Sequence, residues 1–215
     1  MRLGARPHRS FLALLLSVAL APLVIVHARP LSGSALVAAL RQGGCVILMR
    51  HASSPNARPT AATAASGNRD LERQLDGKGL ADAKAMGEAL KRLGIPIARV
   101  ASSPTFRARE TVAAAGLGTP TILDELGDAG RSMSRSAVAA WSQRLRHAVA
   151  RRPPSGSNTL IVTQGPNIID AYGRLATGLE AGGALIFHPD GHGQVHWVAT
   201  VPIGEWPRLA ARLRR

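Results

Sequence analysis

The chain has 215 residues, a formal charge of +14 at neutral pH and a single cysteine. One cysteine excludes an intrachain disulfide framework, and an aromatic content of 3% argues against a surface that stacks nucleic-acid bases. The basic excess is consistent with attraction to anions such as phosphate groups, and equally with a solvated arginine-rich surface.

The first 28 residues have the pattern of a secretory signal peptide. Three arginines precede an apolar run from Phe11 to Val26, and Ala28 is a small residue at the expected cleavage position. The run is short for a membrane span, which needs ~20 residues, although an uncleaved anchor helix is the alternative. We therefore expect cleavage after Ala28, a periplasmic or secreted domain of residues 29–215, and membrane contact only if the segment is kept.

Helical and strand patterns alternate through the rest of the chain, and two continuous apolar runs indicate buried strands. In chain order, we predict a helix over 34–41, a strand over 45–49, a loop over 52–70, a helix over 80–93, a strand over 98–101, a helix over 103–115, a strand over 121–123, a loop over 125–134, a helix over 136–149, a strand over 159–163, a helix from about 167, strands over 184–187 and 194–201, and a helix over 205–214. The alternation predicts an α/β fold, a three-layer sandwich with a mostly parallel central sheet flanked by helices.

Polar side chains follow the ends of predicted strands, where open α/β sheets bind ligands. Arg50 and His51 come directly after the first buried strand, and Gln164 follows a later one. Arg107 lies in the first turn of a helix that we expect to begin with Ser103 as N-cap. A cation at a helix N-terminus is disfavoured unless an anion lies in front of it, so Arg107 is either a phosphate ligand or an exposed arginine.

His51 beside Arg50 is typical of nucleophilic catalysis on phosphorus. A neutral imidazole can attack the phosphoryl group while the neighbouring guanidinium offsets its charge, and water can then release phosphate. This chemistry requires no cofactor and no metal. A single histidine at a strand end can also be purely structural.

Four segments resemble, in order, motifs of the histidine phosphatase (phosphoglycerate-mutase-like) superfamily. Residues 48–52 resemble its Arg-His-Gly signature, and residues 72–81 resemble its Leu-Thr-x-x-Gly-x-x-Gln-Ala segment. Residues 102–111 match Ser-Pro-x-x-Arg-Ala-x-x-Thr closely, and residues 160–168 stand where the family has an apolar strand, a histidine and a glycine. The resemblance runs from about 44 to 200, and the compact size is similar to the small branch that includes bacterial phosphohistidine phosphatases.

The resemblance implies a phosphoglycerate-mutase-like fold and a phosphomonoester phosphatase that acts through a phosphohistidine. It makes His51 the nucleophile and Arg50 and Arg107 phosphate ligands, with Gln164 in place of the second catalytic histidine. A glutamine can donate to a phosphate oxygen but carries no charge, so we expect reduced or specialised activity. The alternative is a catalytically disabled protein that binds phosphate ligands.

The reaction also needs a general acid for the leaving oxygen. We expect Glu125 in this role, with Asp128 as the second choice, although both could be solvated loop acids. Export makes a phosphorylated small molecule or an envelope phosphosugar the expected substrate, and no nucleic-acid partner is expected. A further alternative is that the basic surface binds lipopolysaccharide or another polyanion outside the pocket.

Overall fold

The computed structural model describes residues 29–55, 72–127 and 134–213. Helices and strands alternate along these parts of the chain: α1 Gly33–Gln42, β1 Val46–Arg50, α2 Gly77–Arg92, β2 Ile97–Ser102, α3 Phe106–Ala114, β3 Thr121–Ile122, a 3₁₀ helix Asp124–Leu126, α4 Arg135–Ala150, β4 Asn158–Thr163, α5 Gly165–Tyr172, a second 3₁₀ helix Gly173–Ala176, β5 Ala184–Pro189, β6 Val195–Val201 and α6 Glu205–Arg212. The expected signal segment and most of the expected loop over 52–70 lie outside the described residues. Within the described ranges, no helix has the length and apolar character needed to cross a membrane.

The described strands form one sheet in the order β3-β2-β4-β1-β5-β6. β1 and β2 both pair in parallel with β4, and β3 pairs in parallel with β2. β5 runs antiparallel to β1, and β6 runs antiparallel to β5. The predicted α/β class, the mostly parallel sheet and the terminal hairpin are therefore confirmed.

Both faces of the sheet are covered by helices. Ile47 and Met49 of β1 pack into the layer that contains α1, α2, α3 and α6. Val46 and Leu48 point the other way and pack into the layer of α4 and α5. This two-sided burial explains why β1 reads as a continuous apolar run rather than as an alternating pattern.

One side chain of α2 does not face the way the sequence pattern predicts. Leu80 belongs to the apolar stripe of the sequence, yet it is 41% exposed. Asp76 caps the helix by accepting from the backbone N–H of Gly79 at 2.7 Å, and Gly79 takes the buried position against the loop after β1. Because Gly79 and Ala83 share the inward face, Leu80 is turned toward solvent.

Candidate active site

The carboxyl ends of β1, β4 and β2 meet at one edge of the sheet. The backbone N–H of His51 donates to the Thr163 carbonyl at 2.9 Å, and the N–H of Ser103 donates to the Val162 carbonyl at 2.9 Å. These two bonds continue the strand pairing by one residue on each side of β4. His51, Gln164 and the segment that leads into α3 consequently lie at the same edge.

His51 is 4% exposed, and its Nδ1 lies 2.7 Å from the carbonyl oxygen of Ala52. Because a carbonyl only accepts hydrogen bonds, Nδ1 carries the proton and Nε2 keeps its lone pair. Burial lowers the pKa of His51 from 6.5 to about 4. The hydrogen bond to Ala52 raises this pKa, whereas the positive charges of three arginines lower it further: Arg107, Arg50 and Arg73. The imidazole is therefore neutral at pH 7.

Arg50 is the last residue of β1, and its Nη1 donates to the Leu179 carbonyl at 2.9 Å. Its Nε is buried and has no hydrogen-bond partner among the described residues. Burial also lowers the pKa of this guanidinium. A Cβ on Gly165 would lie 3.3 Å from Nε and Cδ of Arg50, so the glycine after Gln164 leaves room for the arginine.

Arg107 is 3% exposed, which excludes the reading of a solvated arginine. Its Nε donates to Oε1 of Gln164 at 2.8 Å. Nε2 of Gln164 donates to the hydroxyls of Ser103 at 3.0 Å and Thr105 at 2.7 Å. The Gln164 side chain, itself 2% exposed, therefore connects the end of β4 to the segment that carries Arg107.

The predicted N-cap of this helix is wrong. α3 begins at Phe106 with Thr105 at the N-cap position, and the Ser103 hydroxyl bonds to Thr105 at 3.0 Å instead of capping the helix. The backbone of Ser103 is held in the sheet by Val162, which moves the start of the helix further along the chain. Arg107 still lies in the first turn, as predicted.

Thr111 is a contributor that sequence reasoning missed. Its hydroxyl donates to the Arg107 carbonyl at 2.7 Å and accepts from the backbone N–H of Ala52 at 3.0 Å. The bond to Arg107 spans one helical turn, and the bond to Ala52 fixes the residue that follows His51. The spacing of four from Arg107 on one helix face was the available signal.

A cavity of about 420 Å³ opens beside His51. Six of the residues that line it have polar or charged side chains: Arg50, His51, Ser53, Ser54, Arg73 and Asp76. Sequence reasoning did not identify Arg73 as a site residue, because the short segment before α2 in which it lies has no periodic pattern. Two guanidinium groups beside a neutral imidazole make this cavity complementary to an anion.

The two predicted general acids are only partly covered by the described residues. Glu125 lies in the 3₁₀ helix Asp124–Leu126, while its side chain and the whole of Asp128 fall outside what the structure describes. The carbonyl of Leu126 accepts from Oγ1 of Thr163 at 3.1 Å and from Nδ2 of Asn167 at 3.0 Å. This short helix is thus attached to the end of β4, at the site's edge of the sheet.

Among the described residues, no cluster of histidine, cysteine, aspartate and glutamate side chains is suited to hold a metal ion.

Comparisons with known proteins show similarity to one family and one fold. The family model of the histidine phosphatase superfamily (branch 1) matches residues 46–126, a stretch that contains Arg50, His51 and Arg107. A comparison with curated proteins gives no match.

Two solved structures share the fold at low sequence identity. The protein histidine phosphatase SixA complexed with tungstate is 18% identical, with a TM-score of 0.53 over 75% of this chain and 98% of that one. The phosphoserine phosphatase of Entamoeba histolytica in complex with 3-phosphoglyceric acid is 15% identical, with a TM-score of 0.53 over 74% of this chain and 96% of that one. The family-model match and the shared fold thus make this chain similar to members of the histidine phosphatase superfamily.

Proposed function

We propose that this protein is a phosphomonoester phosphatase that acts through a phosphohistidine formed on His51. The observation that carries the proposal is the state of the imidazole, which is buried, neutral at pH 7 and hydrogen-bonded through Nδ1 to Ala52. Nε2 is then the nucleophilic nitrogen. Similar structures include phosphatases of protein histidine and of phosphoserine, which supports the same class of reaction.

In the first step, Nε2 of His51 attacks phosphorus as the bond between phosphorus and the ester oxygen breaks. Arg50 and Arg107 offset the charge on the phosphoryl oxygens. A carboxylic acid protonates the leaving oxygen, and we assign this role to Glu125, with Asp128 as the second candidate. In the second step, water attacks phosphorus, the phosphorus–nitrogen bond breaks, and the same carboxylate accepts the proton from water.

Gln164 takes the place of the second catalytic histidine in this scheme. Both hydrogens of its amide are donated to hydroxyls, and its oxygen accepts from Nε of Arg107. These contacts support an indirect role in which Gln164 orients Arg107 toward the phosphoryl group. Because the amide adds no charge to the site, we expect turnover to be lower by on the order of 10² than with a cationic side chain there.

The test uses the purified protein without added metal and a generic aryl phosphate over a range of pH. The natural protein is expected to release phosphate slowly, and a quenched reaction with labelled substrate should leave acid-labile phosphate on the protein. His51→Asn should lose both signals, and Gln164→His should turn over faster. If neither the natural protein nor Gln164→His releases phosphate while both still bind tungstate, the alternative is correct, and the protein is a catalytically disabled binder of phosphate ligands.

The proposal includes export to the periplasm or medium after cleavage at Ala28. This location favours a phosphorylated small molecule or an envelope phosphosugar as substrate. The net charge of +14 falls to +11 when the segment's three arginines are removed, so the exported domain would still attract anionic substrates.

A further inference from the structure

A second cavity, of about 550 Å³, forms a groove between the end of α4 and the β5–β6 hairpin. Arg146, His147 and Arg151 line the groove on the side of α4, and Gln194 lines it on the side of the hairpin. All four of these residues are exposed. The groove therefore presents two guanidinium groups and an imidazole to solvent.

Acids of the described residues do not neutralise this groove. The sequence from 129 to 169 contains six arginines and no aspartate or glutamate. The ion pairs among the described residues lie within α2 and α6, and neither Asp170 nor Asp190 forms one with α4. The Asp190 carboxylate instead accepts from the backbone N–H groups of His192 and Gln194, at 2.7 and 3.0 Å. An anion from outside the chain is thus the complement that the groove lacks.

The walls of the groove are fastened to each other through carbonyl oxygens. Nη1 of Arg146 donates to the Ala171 carbonyl at the end of α5, and Nη2 of Arg152 donates to the Asp190 carbonyl in the hairpin. A carbonyl carries no net charge, so these bonds fix the arginines without cancelling them. A Cβ on Gly191 would collide with the Arg152 guanidinium, which explains a glycine at this position of the turn.

This groove lies at the opposite edge of the sheet from His51. β5 runs antiparallel to β1, and Phe187 near its end pairs with Val46, the first residue of β1. The hairpin turn is therefore beside the start of β1, whereas His51 follows its end. The five residues of β1 span about 17 Å, so a ligand in the groove does not reach the imidazole.

An exposed tryptophan lies on the same side of the sheet as the groove. Trp197 of β6 is 39% exposed and pairs with Phe187, which packs into the layer of α4 and α5. Directly paired residues point to the same face of a sheet, so Trp197 faces this layer from the edge strand. Tryptophan combines an apolar ring system with an N–H donor and is enriched at membrane–water interfaces.

The N-terminal segment joins the domain at the same strand. The backbone N–H of Leu31 donates to the Val198 carbonyl at 2.8 Å, next to Trp197 and four residues from Gln194. The apolar run 11–26, which we expect to enter a membrane during export, therefore leads into the domain at β6. The cationic groove, the exposed tryptophan and the entry of the chain thus share one strand and its hairpin.

We propose that the basic face, which we define as Arg146, His147, Arg151 and Trp197, binds a membrane surface that contains anionic lipids. The guanidinium groups bind headgroup phosphates, and Trp197 lies at the level of the headgroups. Each arginine contributes about fivefold to the partition coefficient, so the contact is weak and reversible. The inference is independent of the proposed phosphatase function. It requires no retained N-terminal segment, whereas the sequence alone led us to expect membrane contact only with that segment.

The test measures quenching of Trp197 fluorescence by vesicles of phosphatidylcholine brominated near the headgroup, with or without phosphatidylglycerol. The contribution of Trp197 is the difference between the natural protein and Trp197→Phe. We expect strong quenching by the anionic vesicles and little by the neutral ones. Because the signal reports contact of this face with lipid, it is informative whether or not the N-terminal segment is cleaved.

The charge variant combines Arg146→Gln with Arg151→Gln and should weaken partitioning into anionic vesicles roughly 25-fold, with a matching loss of quenching. The matched control combines Arg92→Gln with Arg208→Gln. It removes the same charge from side chains that are 45% and 71% exposed on the opposite layer, and it should bind like the natural protein. His51→Asn should also bind like the natural protein, which separates this contact from catalysis.

Equal quenching by neutral and anionic vesicles, or an equal loss in the charge variant and its control, overturns the proposal. Tripolyphosphate is the soluble probe. If it binds in a manner that depends on Arg146 and Arg151 while vesicles leave Trp197 unquenched, the groove takes a soluble phosphate ligand and the lipid surface is wrong. Thermal unfolding identifies a charge variant that misfolds. In that case Arg151→Gln alone, at an exposed side chain after the end of α4, decides the outcome by the expected fivefold loss.

Discussion

The neutral state of His51 links the chemistry of the site to the stability of the fold. Its pKa is about 4 in the folded protein and 6.5 in the unfolded chain, so between these values only the unfolded chain binds the proton. The free energy of unfolding therefore decreases as the pH falls from 6.5 toward 4, by about 2–3 kcal/mol at pH 4.5. The variant His51→Asn lacks this titration. Urea unfolding at pH 7 and at pH 4.5 should therefore show that the free energy of unfolding falls by about 2–3 kcal/mol less in the variant than in the natural protein.

Other groups also titrate in this range, and the variant serves as their control because it retains them. If the natural protein and His51→Asn lose stability in parallel, His51 titrates normally and its burial does not control its charge. A histidine NMR titration provides an independent measurement, with the His51 resonance assigned by its absence from the variant.

A double-mutant cycle at Gln164 and Arg107 distinguishes an indirect role of the glutamine from direct contact with phosphate. If Gln164 acts by holding Nε of Arg107, then Gln164→Met should weaken tungstate binding in the natural protein but have little further effect in Arg107→Met. The measurement is the dissociation constant of tungstate for the natural protein, both single variants and the double variant. Losses that add in the double variant would mean that Gln164 binds the anion itself.

Sequence reasoning selected candidate residues that end or directly follow a strand, or that begin a helix, namely Arg50, His51, Gln164 and Arg107, and the structure places them at one edge of the sheet. It missed Arg73, because the position of residues 72–76 is set by long-range hydrogen bonds to α3. The N-cap of α3 was misjudged for a similar reason. The backbone N–H of Ser103 donates to the Val162 carbonyl of β4, and this long-range bond, which keeps Ser103 in the sheet, leaves no local signal in the sequence.

At the scale of elements, the start of α2 determines the shape of one cavity wall. A Cβ on Gly79 would collide with the backbone of Ser53, whereas a Cβ on Gly77 meets nothing within 4 Å. We expect Gly79→Ala to cost about 1–3 kcal/mol in the free energy of unfolding and to weaken tungstate binding by shifting Ser53. The matched control Gly77→Ala should stay within about 0.5 kcal/mol of the natural protein. Equal stability and equal tungstate binding in the two variants would show that the loop after β1 can shift to accommodate the added Cβ without loss of either.

The elements themselves were predictable to different degrees. β1 and β4 were predicted to within a residue at each end, because burial on both faces gives an uninterrupted apolar run. The β5–β6 hairpin was predictable from the Pro-Asp-Gly segment between two apolar runs. The orientation of Leu80 was not, because a glycine that packs against a backbone leaves no hydrophobic signal in the sequence.

At the scale of the whole molecule, the order of strands in the sheet could not be read from the sequence. β1 lies between β4 and β5, which come from the distant second half of the chain. This order brings His51 beside Gln164, and the pairing of β4 with β2 then brings Arg107 to the same edge. The site therefore depends on the order of the strands in the sheet. The alternation of helices and strands along the chain does not determine this order.

The proposed signal segment, residues 1–28, belongs to this scale, because a cleaved signal would decide where the whole molecule resides. If they form a cleaved signal, a bacterial host with two membranes should yield a periplasmic protein that begins at Arg29. Leu15→Arg combined with Leu16→Arg interrupts the apolar run and should leave an uncleaved chain in the cytoplasm. The measurements are cell fractionation and N-terminal sequencing.

The matched control places the same two charges elsewhere, as Leu80→Arg with Leu213→Arg, because both leucines are exposed at 41% and 45%. This control should be exported and cleaved like the natural protein. A natural chain that keeps Met1 and sediments with membranes would show that the segment is an anchor helix. The proposed phosphatase site would then face its substrates from the membrane surface, with the basic domain held close to anionic lipid headgroups.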